Sequence, residues 1–435
     1  MFQLEYANRV SARGDMVLKV YYYYSACIGI RSLRTSILCD PWFTDGAYDG
    51  SWYQYPKLEN PLKAIGRYDY IYVSHIHPDH FDPDFLKLYL KEYPEAKVIV
   101  ANFKNNFLSK KMAGNAIRHS IIDELELEDV SIRIFPNETS HIYDIDSALA
   151  VLEKSTGHSV VNMNDNAFNA ALVNDIKLFT KGGPTIALLG FTGAGPYPQT
   201  YMEIGPALLE AAEKKKKDFF GRYLKMKNEL NPKVTIPYAG KYVLGGKLAR
   251  LNPYRGVADA VEVAAFDETA VVLDDGGDAF IDTVTLTPNR ARKDVHDPEK
   301  MEKYLMSLEN REMEYERFFR DLPPKTIPFR MLLPKCAENA LRKSESKEDF
   351  YFCIKIGEGF FVCNANKEKR EMKFEAAVES FSPRSEVTID PRYLYGLITG
   401  VFHWNNADVG SQFSVRRIPD VFNRDAQNFL SFFHL

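Results

Sequence analysis

Hydrophobic positions along the first part of the chain follow two periods in turn. Short apolar, β-branched and aromatic runs such as TSILCDPWF, YDYIYVSH and KVIVA are typical of buried strands. Between them, residues 83–96 contain Phe85, Leu86, Leu88 and Leu90 as an apolar side, which predicts an amphipathic helix. A long charged helix is predicted for residues 202–230. Strands and helices in alternation indicate an α/β core in which helices cover a sheet.

The pattern changes in the second part of the chain. Residues 298–320 predict a second long polar helix, and the four prolines between residues 321 and 334 predict a linker. The runs DFYFCIKI, FFVCNA, MKFEAAVES and SEVTID predict a meander of strands, with helical text in PRYLYGLITG and DAQNFLSFF. We therefore predict a first domain at residues 1–265, a connector at residues 266–334 and an α+β domain at residues 335–435.

Composition narrows the class of protein. The 435 residues include 55 Lys and Arg against 59 Asp and Glu, a formal net charge of −4, which excludes a generally basic nucleic-acid binder. No apolar run approaches the roughly 20 residues of a membrane span, and the first residues lack the apolar core of a signal peptide. We expect a cytoplasmic protein whose five cysteines, none in a C-x-x-C pair, are buried reduced thiols.

One short segment concentrates the residue types that bind metals. The text SHIHPDHFD follows an apolar strand and holds His75, His77, Asp79 and His80 within six positions. Imidazole is a common ligand of zinc and iron, and a carboxylate neutralises charge. Since residues two apart in an extended segment point the same way, His75 and His77 are expected to bind one metal from one side. A surface loop that holds these histidines by chance is the alternative.

This H-x-H-x-D-H loop after an apolar strand resembles the signature of the metallo-β-lactamase fold superfamily. The resemblance covers about residues 19–265 and implies an αββα sandwich with the metals at one edge of two packed sheets. Within the superfamily, LCDPWFTDGAYDGSW, YIYVSHIHPDHFD and IPYAGKYV are most similar to the metal domain of the CMP-N-acetylneuraminate hydroxylase family. L-ascorbate-6-phosphate lactonases and N-acylphosphatidylethanolamine phospholipases D are more distantly similar. The α+β extension loosely resembles sterol-carrier-like domains.

The resemblance implies further ligands from later strand ends. His141, which follows SIRIFPNETS, would be the third ligand of the first metal, unless it is a simple surface histidine. Asp165, after SVVNM, would bridge to a second metal held by Asp79 and His80, and a turn role is its alternative. His158 is a weaker rival on the same strand.

The sequence departs from the family pattern at the last ligand. No histidine occurs between His158 and His296, and the matching neighbourhood contains Gly245 and Gly246 instead. The second site is therefore expected to be short of one protein ligand. The implied cofactor is one or two divalent ions of zinc, iron or manganese.

Two features bear on the substrate. The glycine-rich loop FTGAGPY follows the strand IALLG, and its Gly193 and Tyr197 are candidate contacts to an anionic group, with a plain turn as the alternative. Lys241 could add positive charge near the site. These residues predict a small anionic substrate, sugar- or nucleotide-like.

Three functions follow from the resemblance. The first is a hydrolase in which a metal-bound hydroxide attacks an ester, lactone, amide or phosphodiester, and Asp79 orients or accepts the proton. The second is an iron-dependent hydroxylase of a nucleotide sugar. A Rieske cluster needs C-x-H and C-x-x-H pairs, which this chain lacks, so a hydroxylase would require an external electron donor. The third is a non-catalytic metal- or ligand-binding protein.

Overall fold

Two facing β-sheets form the body of the protein. The computed structural model describes residues 17–137, 145–291 and 298–435, with the side chain of residue 298 excepted. The strands of the first part are β1 (Lys19–Tyr24), β2 (Cys27–Arg31), β3 (Ser36–Cys39), β4 (Trp52–Tyr53), β5 (Tyr70–Tyr72), β6 (Lys97–Val100), β7 (His119–Ile121), β8 (Glu124–Glu126), β9 (Val130–Pro136), β10 (Ser147–Glu153), β11 (Ser159–Asn162), β12 (Ile186–Gly190), β13 (Val234–Tyr238), β14 (Val243–Leu244) and β15 (Phe280–Asp282). One sheet has the order β15-β1-β2-β3-β5-β6-β7 and the other β13-β12-β11-β10-β9-β8.

Helices pack on the outer faces of both sheets and against the sheet of the C-terminal part. Their bounds are α1 (Ala47–Gly50), α2 (Pro61–Ile65), α3 (Pro83–Glu92), α4 (Phe107–Gly114), α5 (Ala170–Phe179), α6 (Pro206–Leu230), α7 (Ala260–Ala264), α8 (Pro298–Glu309), α9 (Glu314–Phe318), α10 (Phe329–Lys343), α11 (Pro391–Ile398), α12 (Trp404–Val409) and α13 (Arg424–Ser431), with 3-10 turns at Gly246–Tyr254 and Pro324–Thr326.

The hydrophobic residues separate into layers that match this arrangement. Ile28 and Ile37 of the first sheet share a core with Leu149 and Ile186 of the second, so the two sheets pack face to face. The apolar side chains of α3 and α4 pack on the other face of the first sheet, and those of α5 and α6 on the other face of the second. The predicted αββα sandwich is confirmed.

The first sheet extends beyond the predicted boundary at residue 265. Strand β15 pairs antiparallel with β1, with Val20 opposite Ile281. The three predicted domains stay a prediction, but residues 280–282 are part of the sandwich.

The C-terminal part has its own five-stranded sheet. Its strands are β16 (Tyr351–Ile356), β17 (Gly359–Asn364), β18 (Met372–Glu375), β19 (Arg384–Thr388) and β20 (Ser414–Ile418), in the order β18-β17-β16-β19-β20. The predicted meander is wrong after β18, because β19 crosses over to pair parallel with β16. The likeness to sterol-carrier-like domains stays a prediction.

Two helix predictions need correction. The helix predicted for residues 298–320 is interrupted between α8 and α9, where Met313 is fully buried and its N–H is capped by Glu316 at 2.9 Å. The predicted linker at residues 321–334 ends early, since α10 begins at Phe329 and includes Pro334. Residues 329–334 therefore belong to an ordered helix that packs in the core.

The remaining expectations concern thiols and membranes. All five cysteines are buried and unpaired, as predicted. Among the helices of the described residues, none combines the length and apolar character that crossing a bilayer requires.

Candidate metal centre

The histidine motif is fixed to the sheet through Asp40. Strands β3 and β5 are parallel neighbours, so Asp40 after β3 lies beside Ser74 after β5. One Asp40 oxygen accepts the Ser74 N–H at 2.7 Å, and the other accepts the Ser74 hydroxyl at 2.7 Å. Asp40 has a φ of 43°, a left-handed conformation that aspartate tolerates better than most residues. This carboxylate therefore sets the path of the chain into the motif.

His75, His77 and Asp165 converge at the carboxyl ends of their strands. Each offers one ligand atom, and these atoms all lie within 4.8 Å of one another. The His75 Nε2 and His77 Nδ1 atoms are 2.9 Å apart. The predicted convergence of the motif with Asp165 is thus present in the geometry, and the set suits a divalent cation that prefers nitrogen and oxygen ligands.

His80 and Asp79 lie next to this group. The His80 Nε2 atom is 3.6 Å from Asp79 Oδ2 and 3.5 Å from Asp165 Oδ2. Its Nδ1 atom is 2.9 Å from Asp40 Oδ2. A second ring nitrogen held by a carboxylate is the arrangement that orients many metal-binding histidines.

The electrostatics of the three rings differ. Burial, together with the neighbouring rings, lowers the pKa of His75 and of His77, which favours the neutral imidazole that a metal requires. Burial also acts against the His80 cation, but Asp79, Asp165 and Asp40 outweigh it and raise the pKa of His80. The three carboxylates therefore favour the protonated form of the His80 ring.

His141 and His158 are the other ligand candidates that the sequence predicts. His141 lies outside the described residues. His158 precedes β11, whereas Asp165 follows it, so this rival is at the far end of the strand from the site. Asp146, which the sequence analysis missed, has its Oδ1 atom 3.6 Å from His75 Nδ1. It follows the segment that holds His141 and immediately precedes β10.

A cavity of about 550 Å³ opens onto these residues. Its lining includes His77, Asp79 and Asp165, and also Gly193 of the glycine-rich loop, as the substrate prediction requires. Gly240 lines it too, whereas Gly245 and Gly246 pack instead against Tyr53 and Met313 elsewhere.

Two predicted substrate contacts are not brought to this cavity. The Lys241 ammonium donates to Asp275 at 2.6 Å and lines a separate, smaller cavity. Tyr197 packs against Tyr201 and the guanidinium of Arg417 and is absent from the cavity lining. The geometry therefore gives neither residue a contact with a ligand beside the histidines.

Tyr48 is the clearest residue that sequence reasoning missed. Its hydroxyl donates to Asp79 Oδ1 at 2.6 Å, and its ring lines the cavity. Tyr48 and Asp49 have φ values of 56° and 61°, which are costly for residues with a side chain. Tyr48 lies within LCDPWFTDGAYDGSW, a stretch that carries the family resemblance, but the sequence does not single it out from its neighbours.

The C-terminal part holds this strained turn in place. Buried Gln412 donates from Nε2 to the carbonyls of Tyr48 at 3.0 Å and of Asp49 at 3.1 Å. Tyr393 donates to the Asp49 carboxylate at 2.6 Å. In addition, Asn405 approaches His77, with 3.4 Å between its Nδ2 atom and the ring Nε2. The C-terminal part thus contributes to the walls and supports of the candidate centre.

Comparisons with known proteins find relatives over part of the chain. No family model matches the chain. A Rieske 2Fe-2S iron-sulfur protein of Mycolicibacterium smegmatis is 32% identical over 185 residues, which are 40% of this chain and 34% of that protein. The cytidine monophosphate-N-acetylneuraminic acid hydroxylase of Danio rerio is 24% identical over 238 residues, 51% of this chain and 38% of the enzyme. The chain thus spans about a third of the length of these curated relatives.

Among solved structures, the metallo hydrolase Igni18 of Ignicoccus hospitalis aligns with a TM-score of 0.41 at 17% identity, over 61% of this chain and 98% of that one. The fold is identified from its own architecture. Two sheets face each other, helices cover their outer faces, and the histidine loop lies at one edge. The chain has the metallo-β-lactamase fold. In this metallo-β-lactamase-fold protein, the C-terminal sheet and its helices are an addition that packs against the metal edge.

Proposed function

We propose that this chain is a metal-dependent hydrolase that acts on an ester, lactone, amide or phosphodiester bond of a small anionic substrate. One observation carries the proposal: the ligand atoms of His75, His77 and Asp165 lie within 4.8 Å of one another in an open cavity. Neutral histidines beside a carboxylate fit a divalent cation, and the cavity leaves room for a substrate next to it.

The residues would divide between two positions. His75 and His77 would hold the first ion, with His141 as a third ligand, and Asp79 and His80 would hold a second. Asp165 would be shared by both positions. When bound, zinc, iron or manganese would acidify a water and polarise the substrate oxygen. Because no histidine occurs between His158 and His296, a water or another residue would have to complete the second position.

The chain's own groups would handle the proton. Asp79 is buried but lines the cavity, so its carboxylate can orient a water and accept its proton. The hydroxyl of Tyr48 occupies Asp79 Oδ1, which leaves Oδ2 facing the His80 ring at 3.6 Å. Asp40 and Ser74 in turn hold His80 through its Nδ1 atom, so the hydrogen bond from Tyr48 and the ionic contact with His80 keep the Asp79 carboxylate in one orientation.

An iron-dependent hydroxylase is the second candidate. The similarity to a Rieske iron-sulfur protein and to a nucleotide-sugar hydroxylase favours it. Since these 435 residues contain no C-x-H and C-x-x-H pairs, the electrons would have to come from a donor outside them.

Metal analysis and two activity assays on purified full-length protein separate the candidates. The proposal expects bound zinc or manganese and turnover of bis-p-nitrophenyl phosphate or simple lactones. Oxygen uptake by iron-loaded protein with an artificial reductant, without hydrolysis, would favour the hydroxylase. Stoichiometric metal without either activity would leave a metal-binding protein.

A further inference from the structure

Two cations of α6 lie on the wall of the metal cavity. Arg222 and Lys225 are three residues apart and therefore neighbours on the helix surface, and both line the cavity with His77, Asp79 and Asp165. Neither belongs to the histidine motif or to the glycine-rich loop. They bring positive charge to a cavity whose other charged lining groups are mainly carboxylates.

Their partners are aromatic rather than acidic. The Arg222 guanidinium lies 4.6 Å from the centre of the Phe219 ring, and the Lys225 ammonium 4.0 Å from that of Phe168. Within the part of the chain that the structure describes, neither forms an ion pair. On the same helix, Lys216 and Lys227 do pair, with Glu262 and Asp267. The two cations at the cavity are thus charged groups without a counter-ion.

The adjacent glycine-rich loop offers donors as well. Gly193, Ala194 and Gly195 line the same cavity, and in the described residues their backbone N–H groups donate no hydrogen bond to the protein. Successive free N–H groups in a loop after a strand are a recognised way of binding an anion. Phe219 packs directly on Gly193, where a Cβ would be 1.9 Å from its ring, so the loop and α6 are held together.

We propose that Arg222, Lys225 and the 193–195 loop form a subsite for a phosphate group that the substrate carries away from its reacting bond. The proposal deepens the proposed function, because it specifies the anion of the substrate of that same cavity. The site offers a guanidinium, an ammonium and backbone N–H groups. Together these donors suit the several oxygens of a phosphate dianion better than they suit the two oxygens of a carboxylate ligand. The subsite would orient the substrate, with its phosphate on α6 and its reacting bond at the histidines.

The probe is inorganic phosphate, and calorimetry measures its binding. The protein is the full-length His77→Ala variant after treatment with a chelator, so that no bound metal contributes to phosphate binding. The proposal expects saturable binding that the double substitution Arg222→Glu and Lys225→Glu weakens by about tenfold or more, since it places two negative charges beside the anion. The matched control is Lys214→Glu with Lys233→Glu, which changes the net charge equally at two exposed positions outside the cavity. Its affinity is expected to stay within about twofold at physiological salt, where distant exposed charges are screened.

Three outcomes would overturn the subsite. They are no saturable phosphate binding to the His77→Ala protein that keeps Arg222 and Lys225, an equal loss of phosphate affinity in the control, or tighter binding of acetate than of phosphate. Circular dichroism of each variant checks that it is folded. Because the assay needs no metal and no turnover, phosphate binding without hydrolysis would reject the proposed function while leaving the subsite standing. Turnover of uncharged lactones without phosphate binding would reject the subsite and leave the proposed hydrolase function standing.

Discussion

His77 is the ligand candidate whose loss should affect metal binding with the least damage to the fold. It is only half-buried, whereas His75 is fully buried and contacts Ser74. We expect His77→Ala to lose at least about tenfold in metal affinity, since one of few protein ligands is removed. Metal content after dialysis against a metal buffer measures this.

His158→Ala is the matched control for that experiment. His158 lies before β11, away from the ligand group, and should keep the metal content of the parent protein. Full retention of metal by His77→Ala, or equal loss in both variants, would contradict the assignment of the site.

Tyr48 is expected to act by positioning Asp79. Tyr48→Phe removes the 2.6 Å hydrogen bond to Asp79 Oδ1 but keeps the ring against Trp52. We predict that kcat for the hydrolytic reaction falls by about tenfold, with little change in KM or metal content, because the carboxylate loses its fixed orientation. Steady-state kinetics at saturating metal measures this.

Tyr197→Phe controls for the loss of a tyrosine hydroxyl, because Tyr197 is outside the cavity lining. A drop in metal content that accounts for the whole loss of activity in Tyr48→Phe would instead show that Tyr48 supports the ligands.

At the scale of residues, local spacing was informative and distant contacts were not. The sequence predicted that His75 and His77 would be adjacent, because two-residue spacing after a strand fixes their direction. It could not reveal Tyr48, whose approach to Asp79 depends on a left-handed turn held by Gln412, more than 360 residues later. Nor could it reveal that the Lys241 ammonium pairs with Asp275, although Lys241 as a substrate contact stays a prediction.

At the scale of elements, the outer helix α6 is fastened to the second sheet by a buried carboxylate. Asp267 accepts from Tyr223 at 2.6 Å and from Lys227, and it also contacts Thr235 of β13. Although burial opposes its ionisation, the hydrogen bonds from Lys227 and Tyr223 lower its pKa to about 2 from an ordinary value of 3.8.

We predict that Asp267→Asn lowers the free energy of unfolding at neutral pH by about 2 kcal/mol. A lowered pKa in the folded state stabilises the protein above the ordinary pKa of aspartate. This contribution is lost as the pH falls from about 4 towards about 2, so the difference between variant and parent should shrink over that window. Urea denaturation at several pH values measures it.

Asp218→Asn, an exposed change on α6, should leave the unfolding free energy within about 0.5 kcal/mol. A difference between Asp267→Asn and the parent that stays constant down to pH 2 would show that packing, rather than charge, accounts for the effect.

Element types followed from the sequence more reliably than their ends and pairings. The periodicity of α6 and α3 was sufficient to place them, since each buries one face on a sheet. The prolines between residues 321 and 334 wrongly predicted a linker over the start of α10. Burial of Phe329 and Leu333 in the core stabilises this helix although it contains Pro334. The parallel pairing of β16 with β19 is a long-range choice that local pattern does not encode.

At the scale of the whole molecule, the two ends of the chain share one hydrophobic core. Val73 and Phe81, which flank the histidine motif, belong to the same buried cluster as Tyr393 and Trp404 of the C-terminal part. Hydrogen bonds cross the same boundary, from Ser51 to the Gly410 carbonyl at 2.5 Å and from Gln412 to the turn at Tyr48. The C-terminal part is therefore a structural component of the metal centre and of the fold.

We predict that a chain ending at residue 320 does not fold into an independent metal-binding domain. The cut would expose the apolar face that packs against α11 and α12 and would release the turn at Tyr48 and Asp49 from Gln412. The truncated protein should aggregate or lack a cooperative thermal transition, and it should bind metal at least about tenfold more weakly than the full chain. Co-expression of residues 321–435 as a separate chain is the control, since it restores the missing surface without the covalent link and should recover soluble protein. A truncated chain that melts cooperatively and keeps full metal affinity would show that the sandwich is complete without its partner sheet, and that the contacts of Gln412 are incidental to the centre.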